Sequence, residues 1–262
     1  DVLRFWLDKG VDGFRVDAIP HLCEDVRFLD EPLTGNPNPD DYGYTEKIYT
    51  KDQLRTYEMV REWRKVLDEY VTSVDERILM MEAYANMTMT IKYYAYGAHF
   101  PFNFGLITET DRDSTAADFQ RVIDEWMLNM WLIDGTANWV TSTFKMLDNV
   151  ESQSEFHKIA PFPQAGNHDN SRLVARYGQE RAQMITIMTL VLPGVSVTYN
   201  GEEIGMEDTW ISWEDTKDPQ GCNAGKEGYE KASRDPARTP FQWDNTTSAG
   251  RYRSEQLLKS LC

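Results

Sequence analysis

Basic residues are scarce in this sequence compared with acidic ones. Its 262 residues include 27 lysines and arginines against 43 aspartates and glutamates, which gives a formal net charge of -16 at pH 7. A chain with this charge is repelled by the phosphates of nucleic acids and by anionic membrane surfaces. The composition therefore excludes DNA and RNA as partners and favours a neutral or cationic ligand.

Cysteine is also rare, and long apolar runs are missing. The three cysteines, Cys23, Cys222 and Cys262, fit no metal-ligand spacing, and an odd number cannot pair completely within the chain. Their disulfide pairing stays open. No apolar stretch reaches the roughly 18 residues of a membrane span, and the first residues do not have the pattern of a signal peptide. The sequence therefore predicts no transmembrane segment.

The chain does contain an alternation of strand and helix patterns. It starts at Asp1 within the apolar periodicity of a helix, so we expect a fragment of a longer protein. The alternation predicts an α/β fold in which helices cover a parallel sheet, either doubly wound or closed into a (β/α)8 barrel. Polar residues from 207 to 253 predict a long functional loop. The predicted helices cover residues 1–9, 52–74, 116–132, 171–178 and 180–193, and the predicted strands cover residues 10–18, 77–83, 98–107, 159–167 and 195–200.

The stretch GVDGFRVDAIPH, residues 10–21, places charged side chains in a predicted strand. Side chains alternate between the two faces of a strand, so Arg15 and Asp17 share one face while Phe14 and Val16 share the other. Asp17 then lies at the carboxyl end of the strand, where barrel enzymes build their sites. Arg15 would keep Asp17 ionised through a charge-assisted hydrogen bond. A buried ion pair without a catalytic role is the alternative.

Two further strand ends carry acidic residues. Glu82 ends the apolar run RILMME, and His168 and Asp169 follow the fourth predicted strand. Each has a plainer interpretation, because a glutamate at a loop mouth can be solvated and a residue at 169–171 could cap the next helix. Together with Asp17 they predict a pocket with several carboxyls. Glycosidic bond cleavage requires such a pair, one ionised as nucleophile and one with a raised pKa as proton donor.

At these motifs the chain resembles the α-amylase superfamily, glycoside hydrolase family 13, and within it the insect maltases, which are α-glucosidases. GFRVDAIPH, MMEAYAN and GNHDNSR are similar to the second, third and fourth motifs of the family, in the family's order. LPGVSVTYNGEEIGM and SRDPARTPFQWD resemble the last barrel strand and the loop after it. The resemblance covers nearly everything from residue 1 to about 250.

The resemblance implies a fold and a domain organisation. The fold is α/β, and the strands of this chain are the C-terminal part, strands 4 to 8, of a (β/α)8 TIM barrel. Residues 1–206 are then a partial catalytic barrel, residues 207–250 are the long loop between the eighth strand and the eighth helix, and residues 251–262 are an atypical tail. The first three barrel strands, the lid domain and the C-terminal β-sandwich are expected to be absent.

The functional residues of the family carry over position by position. The resemblance implies Asp17 as the nucleophile, Glu82 as the general acid/base and Asp169 as the carboxylate that stabilises the transition state. It implies substrate contacts for four further residues, Arg15, His21, His168 and Arg172.

The implied activity is that of a retaining α-glucosidase that removes terminal α-1,4-linked glucose from maltose and short maltooligosaccharides, with sucrose as a further candidate. Ala18, the residue after the implied nucleophile, resembles the α-1,4-cleaving members and not the α-1,6-cleaving ones. Two alternatives stay open. One is a non-catalytic binding protein such as the heavy subunits of amino-acid transporters, and the other is a transglycosylating or isomerising relative. An incomplete barrel exposes sheet edges, so we expect this fragment alone to be inactive.

The remaining expectations concern modification, cofactors and location. The sequons at Asn86 and Asn245 are glycosylation candidates in a secreted chain. We expect a secreted or extracellular enzyme, with anchoring to a gut-lumen membrane as an open alternative for the complete protein. No cofactor and no metal site are predicted, with calcium as an option through family segments that lie outside this sequence.

Overall fold

The computed structural model describes residues 1–39, 41–73, 75–140, 167–244 and 246. Within these ranges strands and helices alternate along the chain, as the sequence predicts. The strands of the described ranges are β1 (Gly13–Val16), β2 (Ile78–Met81), β3 (Phe100–Pro101), β4 (Asn138–Val140) and β5 (Val195–Val197). The helices are α1 (Val2–Leu7), α2 (Leu54–Asp68), α3 (Met87–Ala95), α4 (Gly105–Thr108), α5 (Ala116–Ile133), α6 (Leu173–Tyr177), α7 (Gln179–Val191) and α8 (Pro219–Ala232).

The first three strands form one parallel sheet in the order β1, β2, β3. Val16 pairs with Met81, so β1 and β2 end at the same level, and the next residues along the chain are Asp17 and Glu82. The backbone N–H of Glu82 donates to the carbonyl of Val16 at 2.9 Å, and the N–H of Ile19 donates to the carbonyl of Glu82 at 3.2 Å. The register therefore brings the two predicted acidic residues to the same edge of the sheet.

Strands β4 and β5 form a second parallel pair, in which Trp139 pairs with Ser196. The buried side chain of Asn138 connects this pair to β3. Its Oδ1 accepts from the backbone N–H of Asn103 at 2.8 Å, and its Nδ2 donates to the carbonyl of Pro101 at 2.8 Å. Because a buried amide needs partners for both its oxygen and its nitrogen, this arrangement fixes the two segments against each other. The Asn138 side chain therefore connects the two sheets between β3 and β4.

The helices bury apolar side chains against these strands. Tyr57, Val60 and Leu67 of α2 pack into the cluster that contains β2, and Trp126 and Met130 of α5 pack into the cluster that contains β4. Each of these five side chains is at most 2% exposed. Full burial of such a side chain stabilises a fold by about 1.5 to 3 kcal/mol. The helices therefore hold the strand ends, and the residues just after them, at a common level.

Most predicted elements are shorter in the structure, and local hydrogen bonds explain the two largest differences. The strand predicted at 98–107 extends only over β3, because Oδ1 of Asn103 accepts from the backbone N–H of Gly105 at 2.8 Å and the chain enters α4. The helix predicted at 52–74 ends at Asp68, since the backbone hydrogen bonds beyond it shift to the tighter spacing of three residues. In both cases local hydrogen bonding ends the element before the sequence pattern does.

The structure also contains elements that the sequence patterns miss. β4 has three residues, which is too short for a periodic signal. The segment predicted as a loop from 207 to 253 contains α8, which bends at Gly225 with a φ of 71°. The strand predicted at 159–167 and the tail at 251–262 lie outside the described residues, apart from Asn167. None of the helices in the described ranges is long and apolar enough to cross a membrane.

Candidate active site

Asp17 follows β1 at the open edge of the sheet. Its side chain is 71% exposed, and its Oδ1 accepts a hydrogen bond from Nη1 of Arg15. The alternation of side chains along the strand puts both residues on one side, as the sequence predicts. The next residue, Ala18, has a left-handed backbone with a φ of 43°, so the chain turns away from the strand directly after Asp17. A strand end and one guanidinium therefore present an exposed carboxylate.

Glu82 follows β2 and is 5% exposed. Nη2 of Arg15 lies 3.1 Å from its Oε1, and the backbone N–H of Ala18 donates to its Oε2 at 2.9 Å. Arg15 thus contacts Asp17 and Glu82 with two different nitrogens. Planar guanidinium groups hold two oxygen partners in a fixed geometry, so Arg15 ties the two carboxyls together.

The two carboxyls have opposite pKa shifts. Burial, together with the neighbouring Asp17, raises the pKa of Glu82 to about 7. A hydrogen bond from the protonated Glu82 lowers the pKa of Asp17 below its ordinary value, and Arg15 acts in the same direction. At mildly acidic pH, below about 7, the pair therefore holds one proton, on Glu82, and one negative charge, on Asp17. A proton donor beside an anion is the combination that acid and nucleophilic catalysis use.

Tyr84 joins the site although the sequence analysis did not single it out. Its ring stacks on Phe104, with centroids 4.1 Å apart and planes inclined by 5°. Burial raises the pKa of its hydroxyl, and the nearby carboxylates of Glu82, Asp169 and Asp17 raise it further. All three predicted carboxylates are therefore near enough to this phenol to affect its pKa. Its position two residues after Glu82 is the sequence signal that could have found it.

Asp169 lies in the turn before α6, where two arginines hold its carboxylate. Its Oδ1 accepts from Nη1 of Arg234 and from Nη2 of Arg238, both at 2.8 Å. Its Oδ2 lies 3.4 Å from Nε2 of His168, and the backbone carbonyl of His168 accepts from Nε of Arg238. The structure brings His168 and Asp169 together as predicted. Arg234 and Arg238 were not predicted from the sequence, because no pattern connects them to a residue so far away along the chain.

The capping interpretation of residues 169–171 is wrong. Arg172 occupies the N-cap position of α6, and its backbone N–H donates to Oδ1 of Asp208 at 2.8 Å, so a distant carboxylate caps the helix. The Arg172 side chain is 1% exposed, and its two terminal nitrogens donate to the carbonyls of Asn200 and Thr239 at 2.7 and 3.3 Å. These hydrogen bonds connect the Arg172 side chain to two loops, those of Asn200 and Thr239. The predicted contact of Arg172 with a sugar stays a prediction.

His21 lies in the short helix of the 3-10 type that follows β1. Its Nδ1 is 3.3 Å from the carbonyl of Thr50, and its Nε2 is 3.1 Å from the hydroxyl of Tyr42. Burial lowers the pKa of His21, which favours the neutral imidazole. A neutral ring that donates from Nδ1 to Thr50 and accepts from Tyr42 satisfies both contacts. His21 thus links the end of β1 to the loop at 42–52.

One of the two sequons lies in the described residues. Asn86 is exposed and caps α3, because its Oδ1 accepts from the backbone N–H of Met89 at 3.0 Å. This cap uses the side-chain oxygen and not the amide nitrogen, to which a glycan would be attached. Asn245 lies outside the described residues. Glycosylation of either residue stays a prediction.

Cysteines and metal ligands contribute nothing to this site within the described ranges. Cys23 and Cys222 are free thiols, and Cys262 lies outside the described residues. No group of three or more His, Cys, Asp and Glu side chains in the described part of the chain is arranged to hold a metal ion.

Parallel strands that alternate with helices, two of them followed directly by a carboxyl side chain, are typical of TIM-barrel-type α/β enzymes. A family model described as alpha amylase, catalytic domain, matches residues 1–260, and the chain belongs to this family.

Curated relatives make the comparison more specific. The chain is 54% identical over 251 residues to an alpha-glucosidase of Apis mellifera, a match that covers 95% of this chain and 39% of the relative. It is 45% identical over 262 residues to a salivary alpha-glucosidase of Anopheles gambiae, covering 95% of this chain and 40% of the relative.

A solved structure has a similar fold. The crystal structure of an alpha-glucosyl transfer enzyme, XgtA, matches with a TM-score of 0.71 at 26% identity, and the match covers 95% of this chain and 43% of that enzyme. The chain therefore spans about two fifths of the length of these three proteins.

Proposed function

We propose that the protein is a retaining α-glucosidase of the maltase type. One observation carries the proposal: Asp17 and Glu82 lie at neighbouring strand ends, share Arg15 and have opposite pKa shifts. Hydrolysis of a glycosidic bond with retention requires such a pair, in which one carboxyl is the nucleophile and the other the proton donor. Relatives named alpha-glucosidase support the same activity.

The pair acts in two steps. Asp17 attacks the anomeric carbon, the bond from that carbon to the glycosidic oxygen breaks, and Glu82 transfers its proton to the leaving oxygen. Glu82, now ionised, then removes a proton from a water molecule, which attacks the glycosyl-enzyme and releases Asp17. Glu82 ends the cycle protonated. Positioned proton transfer of this kind contributes about 10²- to 10⁴-fold to the rate.

The other predicted residues act on the sugar. Asp169 grips sugar hydroxyls and favours the distorted transition state, and His168 hydrogen-bonds the glucose in the first subsite. Their contact with each other supports this shared role. Arg15 orients Asp17, and His21 lines the pocket near the leaving group. Arg172 is the weakest of these assignments, because its terminal nitrogens already bind backbone carbonyls.

The five predicted strands, at residues 10–18, 77–83, 98–107, 159–167 and 195–200, correspond to strands 4 to 8 of an eight-stranded barrel. Residues 1–206 belong to that barrel, residues 207–250 form the loop that follows its eighth strand, and residues 251–262 form an atypical tail. The parallel order of β1, β2 and β3 supports the assignment of the first three of these strands. The other strands and the lid and sandwich domains come from the rest of the complete protein, so residues 1–262 alone are inactive.

The substrates are maltose and short maltooligosaccharides, with sucrose as a further candidate. Ala18 supports the α-1,4 preference through the family resemblance. The enzyme is secreted or extracellular, which the name of the salivary relative and the exposed sequon at Asn86 support. It uses no cofactor in the reaction.

Glucosyl transfer is the second candidate function. The structural neighbour is titled an alpha-glucosyl transfer enzyme, and the double displacement passes through a glycosyl-enzyme that a sugar hydroxyl can attack in place of water. The same two carboxyls serve both reactions. Product analysis distinguishes them, because hydrolysis of maltose yields only glucose and transfer yields longer or isomeric saccharides.

The test uses the full-length protein with maltose and isomaltose. We expect glucose to be released faster from maltose than from isomaltose. We expect Asp17→Asn to abolish this release while the circular dichroism spectrum stays unchanged. A full-length protein that hydrolyses no α-glucoside would overturn the proposed function. A preference for isomaltose would overturn only the α-1,4 assignment.

A further inference from the structure

Asp218 is a buried carboxylate that the proposed mechanism does not use. It precedes α8 and is 2% exposed, with a side chain that is fully shielded from solvent. It makes no side-chain cap to its own helix. Arg234 surrounds it instead: the backbone N–H of Arg234 donates to Oδ2 at 2.8 Å, its Nε lies 3.0 and 3.1 Å from the two carboxylate oxygens, and its Nη2 donates to Oδ1. One arginine therefore satisfies this buried carboxylate.

The remaining terminal nitrogen of Arg234 reaches Asp169. Nη1 of Arg234 donates to Oδ1 of Asp169 at 2.8 Å, while Nε and Nη2 stay on Asp218. The guanidinium thus joins two carboxylates, one fully buried and one whose side chain is 22% exposed. The Oδ2 of Asp169 is the oxygen that faces His168.

The charges of this group favour a rigid arrangement. Burial alone would raise the pKa of Asp218, but the hydrogen bonds from Arg234 bring that pKa below its ordinary value, so Asp218 is ionised. The hydrogen bond from Arg234 to Asp218 also raises the pKa of the guanidinium. A free arginine side chain has many rotamers and loses this freedom when it is fixed. The contacts to Asp218 fix it whether or not a sugar is bound.

We propose that Asp218 is a positioning residue of the reaction: it holds Arg234 so that Nη1 fixes Oδ1 of Asp169 and leaves Oδ2 of Asp169 for a sugar hydroxyl. This proposal rests on the proposed function, because Asp169 is assigned there to grip the sugar in the transition state. Asp218 does not touch the substrate and acts only through Arg234.

A neighbouring carboxylate provides a matched control. Asp235 follows Arg234 directly, and its Oδ2 accepts from the backbone N–H groups of Lys217 and Asp218 at 2.7 and 3.0 Å. It therefore holds the same loop through the backbone. Asp235→Asn keeps an oxygen acceptor at this place. It leaves the contacts of the Arg234 side chain with Asp218 and Asp169 in position.

The test measures kcat and KM separately on maltose for the full-length protein. The amide of Asp218→Asn cannot hold the Arg234 guanidinium through two charged oxygens. We expect kcat to fall about 10- to 100-fold, because a small misplacement of a group that binds the substrate can lower the rate by up to about 100-fold. We expect KM to change less than about threefold and Asp235→Asn to leave kcat within about threefold of the wild type, because transition-state contacts affect kcat most. Equal effects of both asparagine variants would overturn the proposal.

A double-mutant cycle tests the route through Arg234. In Arg234→Lys the single ammonium cannot contact both carboxylates, so adding Asp218→Asn should lower kcat by less than about threefold more. If the losses of kcat in the two single variants multiply in the double variant, Asp218 does not act through Arg234. If Asp218→Asn fails to fold, Arg234→Lys alone decides: the proposal requires the same selective loss of kcat, and an unchanged kcat would overturn it.

A crystal structure separates this proposal from the proposed function. If the wild-type full-length protein hydrolyses no α-glucoside, the function fails, and the positioning role is read from the structure of Asp218→Asn instead. We expect the contact between Nη1 of Arg234 and Oδ1 of Asp169 to be lost. A contact retained at about 2.8 Å overturns the positioning role whatever the enzyme does.

Discussion

Glu82 and Asp218 are both buried carboxyls, and their pKa values move in opposite directions. Glu82, at the end of β2, is 5% exposed and has a pKa raised to about 7 by burial. Asp218, at the start of α8, is 2% exposed and has a lowered pKa because the hydrogen bonds of Arg234 outweigh burial. Burial alone therefore does not determine the protonation state of an acidic side chain in this protein.

The partners explain the difference. Glu82 shares Arg15 with Asp17, and this second carboxylate lies close enough to hydrogen-bond with it. Asp218 has a backbone N–H and two guanidinium nitrogens from one residue. Burial and the neighbouring Asp17 keep a proton on Glu82 although Arg15 opposes this, whereas the hydrogen bonds from Arg234 outweigh burial and keep Asp218 ionised. The first arrangement suits a proton donor and the second suits a permanent anion that holds other groups.

The largest expected effect comes from breaking the proton donor. Glu82→Gln should lower kcat on maltose by about 10²- to 10⁴-fold, since it removes general acid and base catalysis. In the wild type, kcat/KM should fall as the pH rises through about 7, because Glu82 loses the proton it must donate. The pH–rate profile of the full-length protein checks both statements. A variant that keeps wild-type turnover, or a wild-type profile flat between pH 6 and 8, would refute the assignment.

A smaller loss should follow when the shared arginine is replaced. Arg15→Lys keeps the positive charge, but its single ammonium cannot hold Asp17 and Glu82 with separate nitrogens as the guanidinium does. A hydrogen bond to a charged group is worth about 1.5 to 3 kcal/mol, so kcat/KM should fall about 10- to 100-fold. Steady-state kinetics on maltose measures this. Arg64→Lys, which alters an ion pair with Asp68 on α2, is the control and should leave kcat/KM unchanged.

The raised pKa of Glu82 also predicts a cost in stability at high pH. Below about pH 4.5 Glu82 is protonated in the folded and the unfolded protein, whereas above that pH the unfolded chain releases the proton first. The folded state therefore loses stability as the pH rises towards about 7. We compare the free energy of unfolding of Glu82→Gln with that of the wild type at pH 4 and at pH 8. The difference should shift in favour of the variant by about 1 to 3 kcal/mol between pH 4 and pH 8. Thermal unfolding at both pH values tests this, and a difference independent of pH would count against the buried, proton-holding Glu82.

Asp208 is a half-buried carboxyl, and its replacement has the smallest expected effect. Burial raises the pKa of its carboxyl, although the backbone N–H of Arg172 donates to it and opposes the shift. Asp208→Ala removes this cap of α6 and should cost about 1 kcal/mol of stability. Asp208→Asn keeps an acceptor and should cost less. Thermal unfolding of the two variants measures the difference, and equal losses would show that the cap is not what Asp208 contributes.

The sequence predicted the first half of the site well because local geometry determines it. Alternation along β1 puts Arg15 and Asp17 on one side, and the strand pattern before Glu82 ends at that residue. The arginines on Asp169 could not be predicted in the same way. Arg234 and Arg238 reach it from the segment around α8, whose path depends on tertiary contacts such as the Asp218 pair.

The fold shows the same division between local and distant causes. Helices with a clear apolar period, such as α2 and α5, occur where the sequence predicts them. β4 has too few residues for a pattern, and the buried amide of Asn138 that joins it to β3 is a tertiary contact. The cap of α6 comes from Asp208 and not from residues 169–171, because helix ends accept any carboxylate that the fold brings near.

The central claim is that Asp17 is the nucleophile and Glu82 the proton donor. The most direct test traps the glycosyl-enzyme of the full-length protein with a slow fluorinated glucosyl fluoride and locates the adduct by mass spectrometry of peptides. The account predicts a glucosyl ester on Asp17, absent from Asp17→Asn. An adduct on Glu82 or Asp169, or turnover of maltose with no adduct on Asp17, would contradict it.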